Sequence, residues 1–163
     1  MDFKEHKVKK LLLSPEMAEH KIKLWCAYQE RSHNETRLKL YDFGLFKDDV
    51  ELIISKLIEE NYINEERFAL ALSGGKFRIK QWGKIKIKIE LRRHKISDYS
   101  INKALNNIED TDYINTIILV LEKKLRLTKS TNKQKLFYSV LNYAVSRGFE
   151  RDLVNEQLNK LLK

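Results

Sequence analysis

Two apolar signatures recur along the chain at nearly constant intervals. Leu45, Ile96 and Phe149 stand 51 and 53 residues apart, and Val50, Ile101 and Val154 repeat that spacing five residues further on. A period of this length marks tandem supersecondary units that bury their apolar faces against their neighbours. It predicts an all-α fold of three tandem three-helix repeats, helix-turn-helix-like units that stack into an elongated, curved array. The boundaries are a basic arm over 1–13 and repeats over 14–61, 62–109 and 110–163.

Helix-start and helix-stop residues support the division. Ser14 is placed as an N-cap with Pro15 at the first helical position, where its missing N–H costs nothing. Ser32-His-Asn-Glu35 has the form of a capping box, and the helix it opens ends at Gly44. Val50, Ile53, Ile54, Leu57 and Ile58 give the 3.6-residue period of a third helix. Asn64 opens the next, with Glu65 and Glu66 suited to the positive end of its dipole and Phe68, Ala71 and Leu72 along it. Gly83 starts another, and Ser97 caps one bearing Ile101, Leu105 and Ile108. Ile114, Ile117, Ile118, Leu121 and Leu125 share one helix. A further helix ends at Gly148, and the last bears Val154, Leu158, Leu161 and Leu162. The first helix carries Ile22, Trp25, Cys26 and Gln29 on one stripe. Lys84-Ile-Lys-Ile-Lys-Ile89 alternates as a half-buried strand does, but the repeat assigns it to a helix, on which Ile85, Ile89 and Arg92 share a side.

With one proline and five glycines in 163 residues, long regular elements are favoured over loops; 42% hydrophobic and 34% charged residues describe a folded chain. A single cysteine excludes an internal disulfide and suits a reducing compartment. No apolar run is long enough to span a bilayer, so a cytoplasmic location is expected, with no membrane partner.

Charge is concentrated. Of a net +9, the stretch from Arg78 to Lys95 contributes +7 through Arg78, Lys80, Lys84, Lys86, Lys88, Arg92, Arg93 and Lys95 against Glu90 alone. Lys123, Lys124, Arg126, Lys129, Lys133 and Lys135 add six charges with no acid between them. A solvated helix face normally mixes signs and gains from pairs four residues apart. Like charges gathered without acids point instead to a polyanion or an acidic partner, and nucleic acid is the densest source of countercharge. The first block is the candidate nucleic-acid or filament surface and the second a subsidiary patch.

Nothing comparable supports catalysis. Ser73-Gly74-Gly75-Lys76 lacks the strand and spacing of a phosphate-binding loop and reads as a break or kink in a helix. His6, His20, His33 and His94 pair with no cysteine or acid at ligand spacing, so no metal and no cofactor is expected. No nucleophile–base set occurs. Cys26 and Trp25 read as core residues, and Trp82 as packing between helices in preference to stacking on a base.

The motifs resemble the RecX family of bacterial regulators. Ser32-x-x-Glu35, Lys39-Leu40 and Gly44 are similar to its first-unit pattern. Tyr62-Ile-Asn-Glu-Glu-Arg67-Phe68-Ala69 is similar to the most specific motif of its second unit. Trp82-Gly83, Ile87, Glu90-Leu91 and Ile96 match the aromatic-Gly, Ile, Glu-Leu and terminal apolar positions of the same unit. The resemblance covers about residues 25 to 105; the third unit matches in helical layout alone. Thr36 replaces a usual apolar residue, and His94-Lys95 stand where a glycine is common, so a different turn is expected there. The resemblance implies three three-helix repeats and no enzymatic activity. It also implies binding in the groove of RecA–DNA filaments, with inhibition of recombinase, ATPase and co-protease activities, and so a part in DNA repair and the SOS response. Binding of single- and double-stranded DNA is implied too. The residues agree with sequence-neutral phosphate contact. The alternative is a stand-alone, non-specific DNA-binding protein of helix-turn-helix-like units, which would present Arg, Asn or Gln to base edges. Nothing demands a dimer, and a monomer is expected.

Overall fold

The computed structural model describes residues 12–163, so the arm lies outside the described residues except for Leu12 and Leu13. Among the described residues there are nine helices and no strand: α1 Pro15–Tyr28, α2 His33–Asp42, α3 Lys47–Glu59, α4 Glu65–Arg78, α5 Lys84–Arg93, α6 Asp98–Asn106, α7 Asp110–Leu127, α8 Lys133–Ser146 and α9 Arg151–Leu161. This is an all-α helical repeat array. None of these helices is long and apolar enough to cross a membrane.

Short polar side chains start the helices by accepting bonds from otherwise orphaned backbone N–H groups. Ser14 Oγ accepts from Met17 N–H at 3.3 Å, and Asn64 Oδ1 from Arg67 N–H at 2.8 Å. Ser97 Oγ accepts from Ser100 N–H at 3.4 Å. The box at α2 is complete: Glu35 N–H donates to Ser32 Oγ and Ser32 N–H to the Glu35 carboxylate. Thr36, the polar departure within α2, is fully buried and donates its hydroxyl proton to the Ser32 carbonyl at 2.8 Å. A hydroxyl satisfied by the preceding turn is tolerated in a core.

The repeat shows most directly where α2, α5 and α8 end. The left-handed residues Gly44, Lys95 and Gly148 (φ 87°, 57° and 95°) are followed by the buried Leu45, Ile96 and Phe149. The N–H groups of these three reach back to the carbonyls of Leu40, Leu91 and Ala144. Each ending is a Schellman turn, whose backward bonds satisfy the last carbonyls while an apolar residue folds under the helix. The turn after α5 therefore does not differ from the others. Lys95 adopts the same conformation without being a glycine, because the bonds on either side over-determine it.

By backbone proximity the chain forms two compact units, the first ending at Phe68 and the second running from Ala69 to Lys163. In the first, α1, α2 and α3 enclose Ala18, Ile22, Cys26, Leu40, Leu45, Val50, Ile53, Ile54, Leu57 and Ile63. Trp25 is half-buried against this core, with the Arg31 guanidinium 4.0 Å over its ring. Arg67 closes the α3–α4 junction. Its guanidinium pairs with Glu30 at 2.5 Å and bonds the carbonyls of Asn61 and Tyr62, so it staples the left-handed turn at Asn61. This bonding explains the arginine of the Tyr62–Ala69 motif.

The second unit is centred on the rings of Phe77, Tyr113 and Phe149, stacked at tilts with centroids 5.9 and 5.5 Å apart. α5 begins against the turn that ends α8. Gly83 N–H donates to the Arg147 carbonyl and Ile85 N–H to that of Gly148. A Cβ on Gly83 would lie 2.1 Å from the Gly148 carbonyl group, so the site admits no side chain.

Several residues assigned to buried stripes point elsewhere than the periodicity suggested. Gln29 and Ala71 are exposed, Ile58 is nearly half exposed, and Leu161 and Leu162 lie at the surface. α4 turns Phe68, Ala69, Ser73 and Phe77 inward instead, and it runs through Gly74 and Gly75 with no break. Intact i→i+4 bonding outweighs the modest helix cost of each glycine.

Candidate nucleic-acid interface

The stretch whose alternation resembled a strand is helix α5. It buries Ile87 and Leu91, one turn apart, and leaves Ile85 and Ile89 48% and 50% exposed. The side carrying Ile85, Ile89 and Arg92 therefore faces outward, and the alternating lysines are spread round the helix. Gly83 at the N-cap supplies no side-chain bond. The first N–H groups find partners outside the helix, Lys84 N–H donating to the Tyr113 hydroxyl at 2.9 Å. That hydroxyl in turn donates to the Glu150 carboxylate at 2.6 Å. Burial, then the neighbouring carboxylate, raises the Tyr113 phenol above its ordinary range, so it stays protonated as a donor.

The eight cations of the first block are not equivalent. Lys84 is drawn inward, its ammonium 3.6 Å from Asp110 and 4.8 Å over the Tyr113 ring. Arg92 and Arg93 lie 3.5 and 3.4 Å from Asp98 and Glu90. The acids missing from the block itself thus come partly from α6 and α7. Arg78, Lys80, Lys86, Lys88 and Lys95 make no ion pair among the described residues. Lys86 instead rests 4.4 Å over the Trp82 ring, with Lys76 4.5 Å over it as well. A ring already occupied by two ammoniums is a cation–π site and no free stacking platform.

The second block lies where α7 passes into α8. Lys123, Arg126, Lys129, Lys133 and Lys135 are exposed, and Lys124 sits 4.8 Å over Tyr143. The structure does not merge this block with the start of α5. Lys84 and Gly83 meet the beginning of α7 and the end of α8, whereas Lys123 and Arg126 lie at the far end of α7 and Lys133 and Lys135 at the start of α8. Lys124 alone, over Tyr143, reaches the last turn of α8. An 18-residue helix spans about 27 Å at 1.5 Å per residue.

Sequence reasoning missed Arg147. Its guanidinium donates to the carbonyls of Lys80 and Gln81, holding the end of the α4 segment below the basic block. A lone arginine beside Gly148 carried no signal of that reach across 66 residues. Cys26 is buried with its thiol 4.0 Å from the Thr36 hydroxyl, and burial raises its pKa, which leaves it a core thiol and no nucleophile. His33 is half-buried with Nε2 lacking a hydrogen-bond partner, and burial lowers its pKa. No three potential metal ligands cluster among the described residues.

Known proteins share this architecture. The family model described as RecX, second three-helix domain, matches residues 64–105. Regulatory protein RecX of Clostridium perfringens is 29% identical over 133 residues, which are 80% of this chain and 62% of the relative. RecX of Clostridioides difficile is 27% identical over 114 residues, 69% of this chain and 53% of its own. The chain thus spans between half and two thirds of the length of these two relatives. RecX of Chlorobaculum tepidum is 25% identical over 134 residues, 81% of each chain. The crystal structure of RecX from Lactobacillus salivarius superposes with a TM-score of 0.82 at 20% identity, over 90% of this chain and 96% of that one, and shows the same fold. The relatives are named as regulatory proteins; residues 64–105 match the second three-helix domain of RecX, and the chain as a whole is similar to RecX proteins in sequence and shares their fold.

Proposed function

We propose that this protein is a non-catalytic regulator of RecA filaments. On this reading it binds in the filament groove and lowers recombinase, ATPase and co-protease activities, and through them modulates DNA repair and the SOS response. The observation that carries it is the set of cations on and beside α5 that make no ion pair among the described residues, Arg78, Lys80, Lys86, Lys88 and Lys95, in a chain similar to RecX proteins. Exposed ammoniums held together gain most from a phosphate backbone, where each contact releases condensed counterions. Such contacts position a protein without reading bases, so both single- and double-stranded DNA serve. The Lys123–Lys135 patch would contact the polyanion at a second point. Three repeats over 14–61, 62–109 and 110–163, acting as a cytoplasmic monomer, complete the proposal.

The test is the single-stranded-DNA-dependent ATPase of RecA from the same organism, with this protein titrated below one copy per recombinase monomer and DNA in excess. A fall in rate at such ratios is the expected outcome and favours capping or disassembly over masking of DNA. An unchanged rate with DNA binding intact would leave only a basic helical DNA-binding protein.

A further inference from the structure

Beside the cations of α5 lies a groove whose apolar part phosphate contact does not use. Trp82, Ile85, Ile89 and Val145 form its apolar part, and Lys86 and Arg93 stand at its edge, around a cavity of about 300 Å³. It runs between α5 and the end of α8, where Ser146 and Gly148 complete the wall. Ile85 and Ile89 are a turn apart and half exposed, and Arg93 is 75% exposed at its side chain. The only acid lining it, Glu90, is engaged by Arg93 at 3.4 Å.

We propose that this groove seats an acidic amphipathic segment of a protein partner, with apolar side chains over Ile85 and Ile89 and carboxylates toward Lys86 and Arg93. This rests on the reading of the protein as a filament regulator and assigns the apolar part of the protein contact to Ile85 and Ile89, with Lys86 shared with the phosphate contacts. Nucleic acid is the poorer occupant on two counts. A phosphate backbone would satisfy the rim and leave the isoleucines in water, and a base finds the Trp82 ring already covered by Lys76 and Lys86. An uncharged apolar segment would fill the floor and leave Lys86 without a carboxylate. The cavity sits at the lower limit of small-molecule sites, about 300–1,000 Å³. An apolar ridge flanked by acids matches both parts, the mode in which amphipathic helices enter grooves.

The test compares wild type with Ile85→Ser/Ile89→Ser. Both side chains are half exposed, and equal thermal melts of the two proteins verify the fold. The probes are a fluorescein-labelled helical peptide with leucines four residues apart among glutamates, the same peptide with serine for leucine, and a labelled oligothymidylate. The leucine peptide should bind wild type and bind the double variant about tenfold more weakly, while oligothymidylate affinity stays unchanged. Equal peptide binding by both proteins, equal binding of the serine peptide, no peptide binding by wild type, or a parallel loss of oligothymidylate affinity would each overturn the groove. The ATPase titration separates the two ideas. A groove that binds the peptide in a protein without effect on RecA would refute the filament reading alone.

Discussion

The two compact units differ in their balance of acids and bases. Residues 12–68 hold eight Lys or Arg against twelve Asp or Glu, and residues 69–163 hold 20 against nine. In the first unit cations are consumed internally: Lys23 bridges Glu19 and Glu60, Lys56 meets Glu19, Arg37 meets Glu51, and Arg67 meets Glu30. The partners respond as such pairs should, the lysine and arginine drawing the Glu19 and Glu51 carboxyls below their ordinary range. In the second unit acids run short: Lys84, Arg92, Arg93 and Lys160 find one. Lys76 and Lys86 rest on Trp82 and Lys124 and Arg147 on Tyr143, and Lys80, Lys88 and Lys95 have neither among the described residues, although ring contacts also occur in the first unit, as with Arg31 on Trp25. Ring contacts of this kind at exposed sites are worth only about 0.5–1 kcal/mol, so they hold a cation in place without quenching its reach. One unit spends its charge on its own fold, and the other leaves it available to something outside.

The sharpest structural test of this contrast lies at equivalent N-caps 51 residues apart. Ser32 caps α2 with bonds that stay inside its own box, whereas Gly83 starts α5 in backbone contact with the α8 turn. Gly83→Ala should cost at least about 3 kcal/mol, because the added methyl meets backbone that cannot give. Ser32→Ala should cost about 1 kcal/mol, the ordinary loss of a cap. Urea denaturation of both variants checks the difference, and equal costs would show that the seam yields.

The charge contrast can be broken with two variants of equal net charge. Lys80→Glu/Lys88→Glu in the second unit should weaken oligonucleotide binding and lower the slope of log K against log salt by about one for each phosphate no longer neutralised. Lys21→Glu/Lys47→Glu, the same change made in the first unit, should leave that slope unchanged. Equal slopes in titrations of the two variants would mean that overall charge, and no placed surface, binds DNA.

The smallest effect concerns the turns. Lys95→Gly should stabilise the protein by about 0.5–1 kcal/mol by relieving a left-handed non-glycine residue, while weakening DNA binding slightly. Gly44 already occupies the matching position in the first unit, so a melt showing no gain would mean that local bonds remove the strain.

Much of the fold was legible because caps and Schellman turns are local chemistry. Ser14, Ser32, Asn64, Ser97, Gly44 and Gly148 all do what their residue types permit. The apolar faces were less legible where two periods compete. On α5 the set Ile85–Ile89 and the set Ile87–Leu91 both satisfy helical spacing, and only packing decides which is buried. Ala71 was misread because helix α4 turns its small residues Ala69, Ser73 and Gly74 inward, where close approach favours small size over hydrophobicity. For the candidate surface, the sequence identified the cations but not their states. The withdrawal of Lys84 to Asp110 and Tyr113, and the bracing of the block by Arg147, join residues 26 to 67 positions apart.

The seam at Gly83 and Gly148 bears on modularity. An array of repeats suggests parts that can be cut, counted or exchanged, yet α5 draws its first hydrogen-bond acceptors from a turn more than sixty residues downstream. A chain ending before that turn would strand the N–H groups of Gly83 and Ile85 and remove the arginine that holds the carbonyls of Lys80 and Gln81. The start of the basic helix is thus completed only by the turn after α8, and a product terminated before that turn would carry the charged sequence without those contacts.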